Sequence, residues 1–538
     1  MSHLAPAAQA LPALTETLSR IVGADRLNAD DAARRLFQAD IGDRGTGTVS
    51  LVVAPGSVDE LARVVAAATQ AGYAIAPRGA GMSYTAGYVP SQQHTVSLDM
   101  ARMNHVLDIN AQDMTVTVEA GCSWKALLEA LKPLGLRTPF FGPMSGIAST
   151  VGAGISQLNA MLGAGHHGTS SESVVALTVV LADGRVLRTG ARGADGQSPF
   201  YRHFGPDLAG LFCGDCGALG IKAEVTLRLM RMPAAEGHAS FSFKTGAALM
   251  AAMAEIARAG LAAEMCGFDP GLTAVRMRRA SMASDLKTAA AVAGKQKSLV
   301  KGLVEVGRMA LAGRSFVEDD AYSLHVNAEG RCAAAVEHDL AEARRIAAAQ
   351  GGTEIANTIA KVIRAQPFPA ANSILGPDGE RWLPIHGQVP LSVAAAALQE
   401  IEGVFAAMAD EFKQHGVHTG FLFSSMSTNA IILEPVLYWP DERHAVHESM
   451  IEPAHLAKLP VLPANPAAHA VALKAKAQII AALQRRGAGH FQIGRTYPYR
   501  ASREAASWAF LESIKREVDP AGLINPGVLG FDTPAATS

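Results

Sequence analysis

Cysteine is scarce in this chain: five residues in 538, an odd number that cannot close a full disulfide framework. That scarcity points to a reducing compartment and a cytoplasmic protein, with the inner face of a membrane as the alternative location. Charge is also low, with 18% charged residues and a formal net charge of −2. A dedicated nucleic-acid binder would carry a clear basic excess, so no nucleic-acid partner is expected. The first twenty residues lack a basic segment followed by an unbroken apolar stretch, so no signal peptide is expected. Nowhere do about 18 uncharged apolar residues run together, which excludes a single long membrane-spanning helix. Repeats with a period of 20–50 residues are absent too, which removes the solenoids.

What the chain does have is apolar residues, 49% of it, in a length that exceeds a single core. Two or three domains are expected. Residues 50–235 alternate strand and helix patterns. A β-branched run at 49–54 ends at Pro55-Gly56, and residues 58–72 carry apolar side chains at helical spacing. Further strands are expected at 74–77, 114–119, 174–181 and 221–230, with an Asp183-Gly184 hairpin turn after the third. Residues 236–440 repeat strand and helix in a way that predicts an antiparallel sheet backed by helices.

Two glycine-rich clusters interrupt the first region. Arg78-Gly79-Ala80-Gly81-Met82-Ser83 follows a strand directly and offers successive backbone N–H groups to a phosphate. The second runs through Ser145, Gly146, Thr150, Gly152, Gly154 and Ser156 to Gly163, Gly165 and Gly168. So many glycines between structured elements suggest backbone pressed against a flat ligand. Residues 163–168 spell the dinucleotide G-x-G-x-x-G pattern, but no strand precedes them and a strand, not a helix, is expected next. A nicotinamide-binding Rossmann domain is therefore not expected.

With PRGAGMS at 77–83, VEAGCSWKALLEAL at 118–131 and GIASTVGAGISQLNAMLGAGHHG at 146–168, the chain resembles a known family. VVLADGRVLRTG at 179–190, DLAGLFCGDCGALGIKAEVTLRL at 207–229 and DPAGLINPGVLG at 519–530 complete the series. The family is the vanillyl-alcohol-oxidase-like flavoproteins with a p-cresol-methylhydroxylase (PCMH)-type FAD domain. Within it, the FAD domain is nearest to D-lactate dehydrogenases and glycolate oxidase flavoprotein subunits. The resemblance implies an α+β fold: a two-subdomain PCMH-type FAD-binding domain plus a cap domain with an antiparallel sheet backed by helices. The expected divisions are a helical extension at 1–44, the FAD domain at 45–235, the cap or substrate domain at 236–500, and a segment at 501–538 returning to the FAD domain. It implies that residues 78–83 hold the pyrophosphate, and that Ser145, Gly146, Thr150, Gly152, Gly154 and Ser156 follow the ribityl and ring. Gly220 and Ile221 are implied at the adenosine half, and Asn525 at the returning tail. Relatives that tether FAD through the first loop carry histidine where this chain has Met82, so non-covalent FAD is expected; a histidine tether from the cap is the exception left open.

Hydride transfer to a flavin needs a base beside the substrate hydroxyl. The densest polar and aromatic group is 489–500, where His490 is the expected base and Arg495 the expected carboxylate clamp or stabiliser of reduced flavin. Tyr497 and His386, the latter within Trp382-Leu-Pro-Ile-His386-Gly-Gln388, complete the expected catalytic set, and Glu434, Tyr438 and Trp439 are expected on an adjoining strand. The histidine-rich metal stretch of the D-lactate, glycolate and D-2-hydroxyglutarate branch is missing, since His325-Val-Asn-Ala-Glu329 lacks its aspartate-glycine pair, and no metal is expected. The Tyr-Arg pair of the phenol-oxidising branch is missing where Phe491-Gln492 stand. Cys213 and Cys216, a lone C-x-x-C, are read as structural.

These readings lead to an FAD-dependent oxidoreductase acting on a CH–OH group. The first expected substrate is a small 2-hydroxy acid, with electrons passing to a quinone, cytochrome or oxygen rather than NAD. An aromatic or aliphatic alcohol, caged by Trp382, Phe491 and Tyr497, is the second. A basic amphipathic stretch at 295–314 (KQKSLVKGLVEVGRMALAGR) suggests a third: a flavin-binding protein without turnover, docked on a membrane surface. A homodimer is compatible with all three.

Overall fold

The computed structural model describes residues 7–193, 198–279 and 320–532. Three sheets carry the architecture. The first joins Leu27–Asn28, Val49–Val53, Thr95–Asp99 and Ala74–Arg78 in that order. Its last three strands run parallel, so each connection must cross over the sheet. Helix Val58–Gln70 makes the first crossover. Its N-terminus is capped by the Ser57 hydroxyl, which accepts from the Glu60 N–H. Leu61, Val64, Val65 and Ala68 recur at helical spacing and are buried with Ile75, Val96 and Leu98 of the strands. Leu14, Leu18 and Val22 of helix Ala7–Val22 enter the same core.

The second sheet is antiparallel, ordered Val106–Asn110, Thr115–Glu119, Ile221–Arg228, Val174–Val180, Val186–Arg188. The hairpin turn expected at Asp183-Gly184 is there, with Gly184 at φ 84°. The tail returns to the first sheet: the Asn525 N–H donates to the Ile75 carbonyl, and the Ile75 N–H to that of Leu523.

The third sheet has eight antiparallel strands, ordered from Thr353–Ile355 through Ala235–Phe243, Tyr322–Gly330, Glu264–Phe268, His418–Met426 and Ala430–Trp439 to Arg381–Pro384. Gly387–Pro390 pairs beside the last of these on Ala430–Trp439. Strand Tyr322–Gly330 shows why the sheet sits where it does. Leu324, Val326 and Ala328 enter the core with helices Gly246–Arg258 and Ala333–Ala349. His325, Asn327 and Glu329 alternate onto the other face, where Glu329 pairs with Arg137, which lies outside this sheet. A period of two thus divides one strand between core and interface.

That interface is a buried ion network. Both Glu329 carboxylate oxygens are taken by guanidiniums, Oε1 by Arg137 and Oε2 by Arg364. Arg364 also lies 3.3 Å from Glu264, which accepts the Gly163 N–H and the Asn327 amide. The rings of His166 and His167 bring nitrogens within 4.8 Å of Glu329. With the carboxylate already held by two arginines, this trio belongs to the ion network. The stretch at 295–314 lies outside the described residues.

Candidate active site

The two glycine-rich turns, some seventy residues apart, meet. A Cβ on Gly79 would stand 2.5 Å from the Thr150 hydroxyl and 2.9 Å from the Ala153 Cβ, so only glycine lets the first turn lie on the second. Gly81 adopts φ 78°, and a side chain there would collide with the Arg78 guanidinium. Arg78 itself is buried: it donates to the Leu36 carbonyl and lies over the Phe37 and Tyr88 rings at 4.5 and 5.2 Å. It braces the loop from beneath while lining the space above.

That space is a cleft bordered by both turns, with an enclosed volume of about 120 Å³. Of the expected cofactor residues, Arg78, Gly79, Ala80, Gly81, Met82, Ser83, Ser145, Thr150, Gly152, Gly154, Ser156, Gly220 and Ile221 line it. Two do not. Gly146 is covered by the Phe368 ring, its absent Cβ 2.4 Å from that ring, because the cap closes over this end of the loop. Asn525 is buried behind the cleft, where its amide donates to the Gly87 and Cys216 carbonyls. Its role here is to pin the returning tail. The pattern at 163–168 contains one helical turn, Ala164–His167, and the strand expected after it is Val174–Val180. Gly165 is needed there because the backbone of Ala262 and Ala263 packs against it, so no ligand stands at that place.

Sequence reasoning missed Gln157 and Lys222, which line the cleft one residue beyond Ser156 and Ile221. Lys222 is buried as an ion pair with Asp215, the aspartate of the C-x-x-C stretch. Cys216 lines the cleft too. Its sulfur accepts the Gly494 N–H and donates to Gln157, and burial pushes its thiol up to about 12, as expected of a structural cysteine.

The expected catalytic residues gather beside the cleft. Reciprocal backbone hydrogen bonds between Gln388 and Gly489 carry residues 489–492 up to the cap strand. His386 is fully buried, stacked on Phe491 at 3.8 Å, with Tyr497 at 5.0 Å and Tyr84 at 5.9 Å. Neither of its ring nitrogens has a hydrogen-bond partner among the described residues. Burial drives its pKa well below the ordinary histidine value, so it is neutral. His490 is half-buried and stacks on Tyr497 at 4.1 Å; its Nδ1 lies 2.8 Å from the His386 carbonyl oxygen. A carbonyl only accepts, so Nδ1 carries the proton and Nε2 keeps its lone pair, with no partner among the described residues. Burial also lowers the His490 pKa. The Tyr497 hydroxyl accepts the His386 N–H at 2.8 Å.

Tyr84, also missed although it directly follows Ser83, closes the box. Its hydroxyl accepts from Gln492, which lines the cleft, and its ring meets Trp382 at 5.6 Å. The Glu434 carboxylate acts on both Tyr84 and Tyr497, raising their hydroxyl pKa values further after burial has done so. Tyr438 pairs with Trp382 across the strands, whereas Trp439 is fully buried and bonded to Asp441, which makes it core.

Arg495 departs from expectation. Its Nε donates to the Pro526 carbonyl, Nη1 to those of Ala86 and Val89, and Nη2 to Pro526, Asn525 and Ser91. Every N–H direction of the fork is occupied in holding the tail against the first loop. No donor remains to clamp a carboxylate. Burial lowers its pKa to about 10, which leaves it charged.

Residues 49–190 match a family model described as FAD binding domain. Over these residues the chain is similar to that FAD-binding family. Among known proteins it is similar to glycolate oxidase subunit GlcD of Bacillus subtilis, 30% identical over 40% of this chain and 45% of that protein. It is also similar to D-lactate dehydrogenase [cytochrome] 1 of Saccharomyces cerevisiae, 29% identical over 36% of this chain and 32% of that one. The chain therefore spans less than half the length of these curated relatives. Over its whole length the fold is that of a p-cresol methylhydroxylase structure, with TM-score 0.73, 16% identity and 97% of each chain covered.

The residues present fit FAD. The Thr150 hydroxyl and the Asn159 amide oxygen line the cleft, are buried, and lack partners among the described residues, as groups awaiting a polar ligand would. Gly79→Val forces the two turns apart, a strain of about 1–3 kcal/mol. FAD affinity should fall about 10–100-fold, read by titrating apoprotein and following flavin fluorescence.

Proposed function

We propose that this protein is an FAD-dependent oxidoreductase that oxidises the CH–OH group of a small substrate and passes electrons to an acceptor other than NAD. The observation that carries the reading is His490, whose Nε2 lone pair is free while its Nδ1 proton is tied to the His386 carbonyl, two residues from a side chain lining the FAD cleft. Bound FAD supplies the two-electron acceptor for the substrate's hydride. The protein supplies the proton chemistry and the placement. His490 Nε2 takes the hydroxyl proton, and Tyr497 keeps the imidazole flat by stacking. Gln492, which lines the cleft, donates its amide to the Tyr84 hydroxyl. Trp382, Phe491 and Tyr84 wall off water.

The site favours an uncharged alcohol. No N–H of Arg495 is free, His386 is neutral, and Glu434 would repel an anion near Tyr84 and Tyr497. The names of the relatives favour a second reading, a 2-hydroxy acid such as D-lactate or glycolate, whose carboxylate would need a cation other than Arg495. Anaerobic flavin bleaching separates them: benzylic alcohols for the first, D-lactate, glycolate and D-2-hydroxyglutarate for the second. If no donor of either class bleaches the flavin, the enzyme reading fails and a binding role gains. FAD is held without a covalent bond in this proposal, so acid precipitation should release all the yellow colour. Quinone, cytochrome and oxygen remain the acceptors to try.

The pH dependence follows from the base. Burial lowers the His490 pKa, so the imidazole takes up its proton only at a pH below the ordinary histidine range. Flavin reduction should therefore show an acid limb centred below about 6.5. An acid limb centred above 6.5 would exclude His490 as the base.

A further inference from the structure

The cleft is lined by two bases and, among the described residues, by no aspartate or glutamate. One base, Lys222, is already neutralised by Asp215. Arg78 is not. It is buried, donates to the Leu36 carbonyl and lies over two rings, and no carboxylate pairs with it among the described residues.

Arg495 is in the same condition at the far end of the loop. Its fork meets the carbonyls of Ala86, Val89 and Pro526, the Ser91 hydroxyl and the Asn525 amide oxygen, all of them uncharged. Asn525 then donates to the Gly87 and Cys216 carbonyls, and both of these residues line the cleft. One layer of side chain and backbone therefore separates the guanidinium from the cavity. Asp40 is the carboxylate whose charge reaches it. That carboxylate faces Lys476 as well, and burial pushes its pKa up, toward the neutral form. Holding carbonyls requires donors but no charge. Desolvating a cation without an anion beside it is costly, so pinning the tail does not by itself account for an arginine here.

Bound FAD brings the missing anion. Its pyrophosphate is a dianion, and the cleft-lining turn at 78–83 offers that group backbone N–H donors. We propose that Arg495, together with Arg78, is the counter-charge of the FAD pyrophosphate. It acts across the loop through its field, which a poorly solvated site screens weakly, and not by contact. Arg495 is thus a positioning residue for the cofactor: its donors hold the tail and its charge holds the ligand. The inference rests on FAD occupying the cleft.

The test compares FAD with riboflavin, which has the same ring and ribityl chain but no phosphate, by titrating apoprotein and following flavin fluorescence. Arg495→Gln removes the charge and keeps amide donors, whereas Arg495→Lys keeps the charge and loses the planar fork. The glutamine variant should lose about 10-fold in FAD affinity with riboflavin affinity unchanged. The lysine variant should recover most of that loss. Equal losses in both variants, or a loss shared by riboflavin, would overturn the proposal and leave Arg495 a structural pin. Should these variants not fold, Asp40→Asn decides. It removes the carboxylate that competes for Arg495 and should tighten FAD several-fold without changing riboflavin; no change there would overturn the proposal as well. Native protein that binds neither ligand would overturn the FAD assignment itself, and the proposal with it.

Discussion

His490→Ala is expected to slow anaerobic flavin reduction about 10²–10⁴-fold with whichever donor reduces the native protein, the range usual for losing a general base. The flavin spectrum should not change, because the imidazole touches none of the cleft-lining side chains through a hydrogen bond; its one bond is to the His386 carbonyl. Added imidazole should restore part of the rate if proton removal is what was lost. Tyr497→Phe makes a useful comparison. It keeps the ring that stacks on His490 but removes the acceptor of the buried His386 N–H, at a cost of about 1–3 kcal/mol. A tyrosine variant that is slower than the histidine variant would reverse the roles, making the phenol the group that handles the proton.

Glu329→Gln should be the most destabilising change outside the cofactor site. Among the described residues Glu329 is the carboxylate in direct contact with Arg137, through one oxygen, and it helps neutralise Arg364 through the other, all three being nearly excluded from water. Removing one partner of a buried pair typically costs 3–5 kcal/mol, because the remaining charges keep their desolvation penalty without compensation. With a urea slope of roughly 3 kcal/mol/M, the unfolding midpoint should fall by about 1 M or more. Flavin fluorescence would report it early, since Arg137 and Glu329 join the two sides of the domain interface. Arg345→Ala, which breaks an exposed pair with Glu342, is the control and should move the midpoint hardly at all. Equal shifts for both would mean the network contributes nothing special to the interface.

The cofactor half was legible because its signals are local. A β-branched strand, a glycine turn and a capped helix are decided within a few residues, so residues 77–83 and 145–156 could be read as ligand-facing loops without knowing the fold. The neighbours Gln157, Lys222 and Tyr84 escaped for the opposite reason. Nothing in their own sequence context separates a side chain aimed into a cleft from one aimed at solvent. The proposed catalytic half was legible only as a set. His386, His490 and Tyr497 were named together, yet which nitrogen is free depends on a carbonyl 104 residues away.

Arg495 states the boundary most clearly. An arginine in a polar, aromatic stretch near a flavin suggests an anion clamp from its type alone. Whether its fork is free depends on carbonyls at Ala86, Val89 and Pro526, which chain distance hides. By itself, then, the sequence determined the FAD-binding turns, the helix caps and the strand alternation, because steric and hydrogen-bonding preferences of neighbouring residues suffice for those. Only the tertiary structure decided which polar groups are satisfied and which await a substrate, because satisfaction depends on partners brought close by folding.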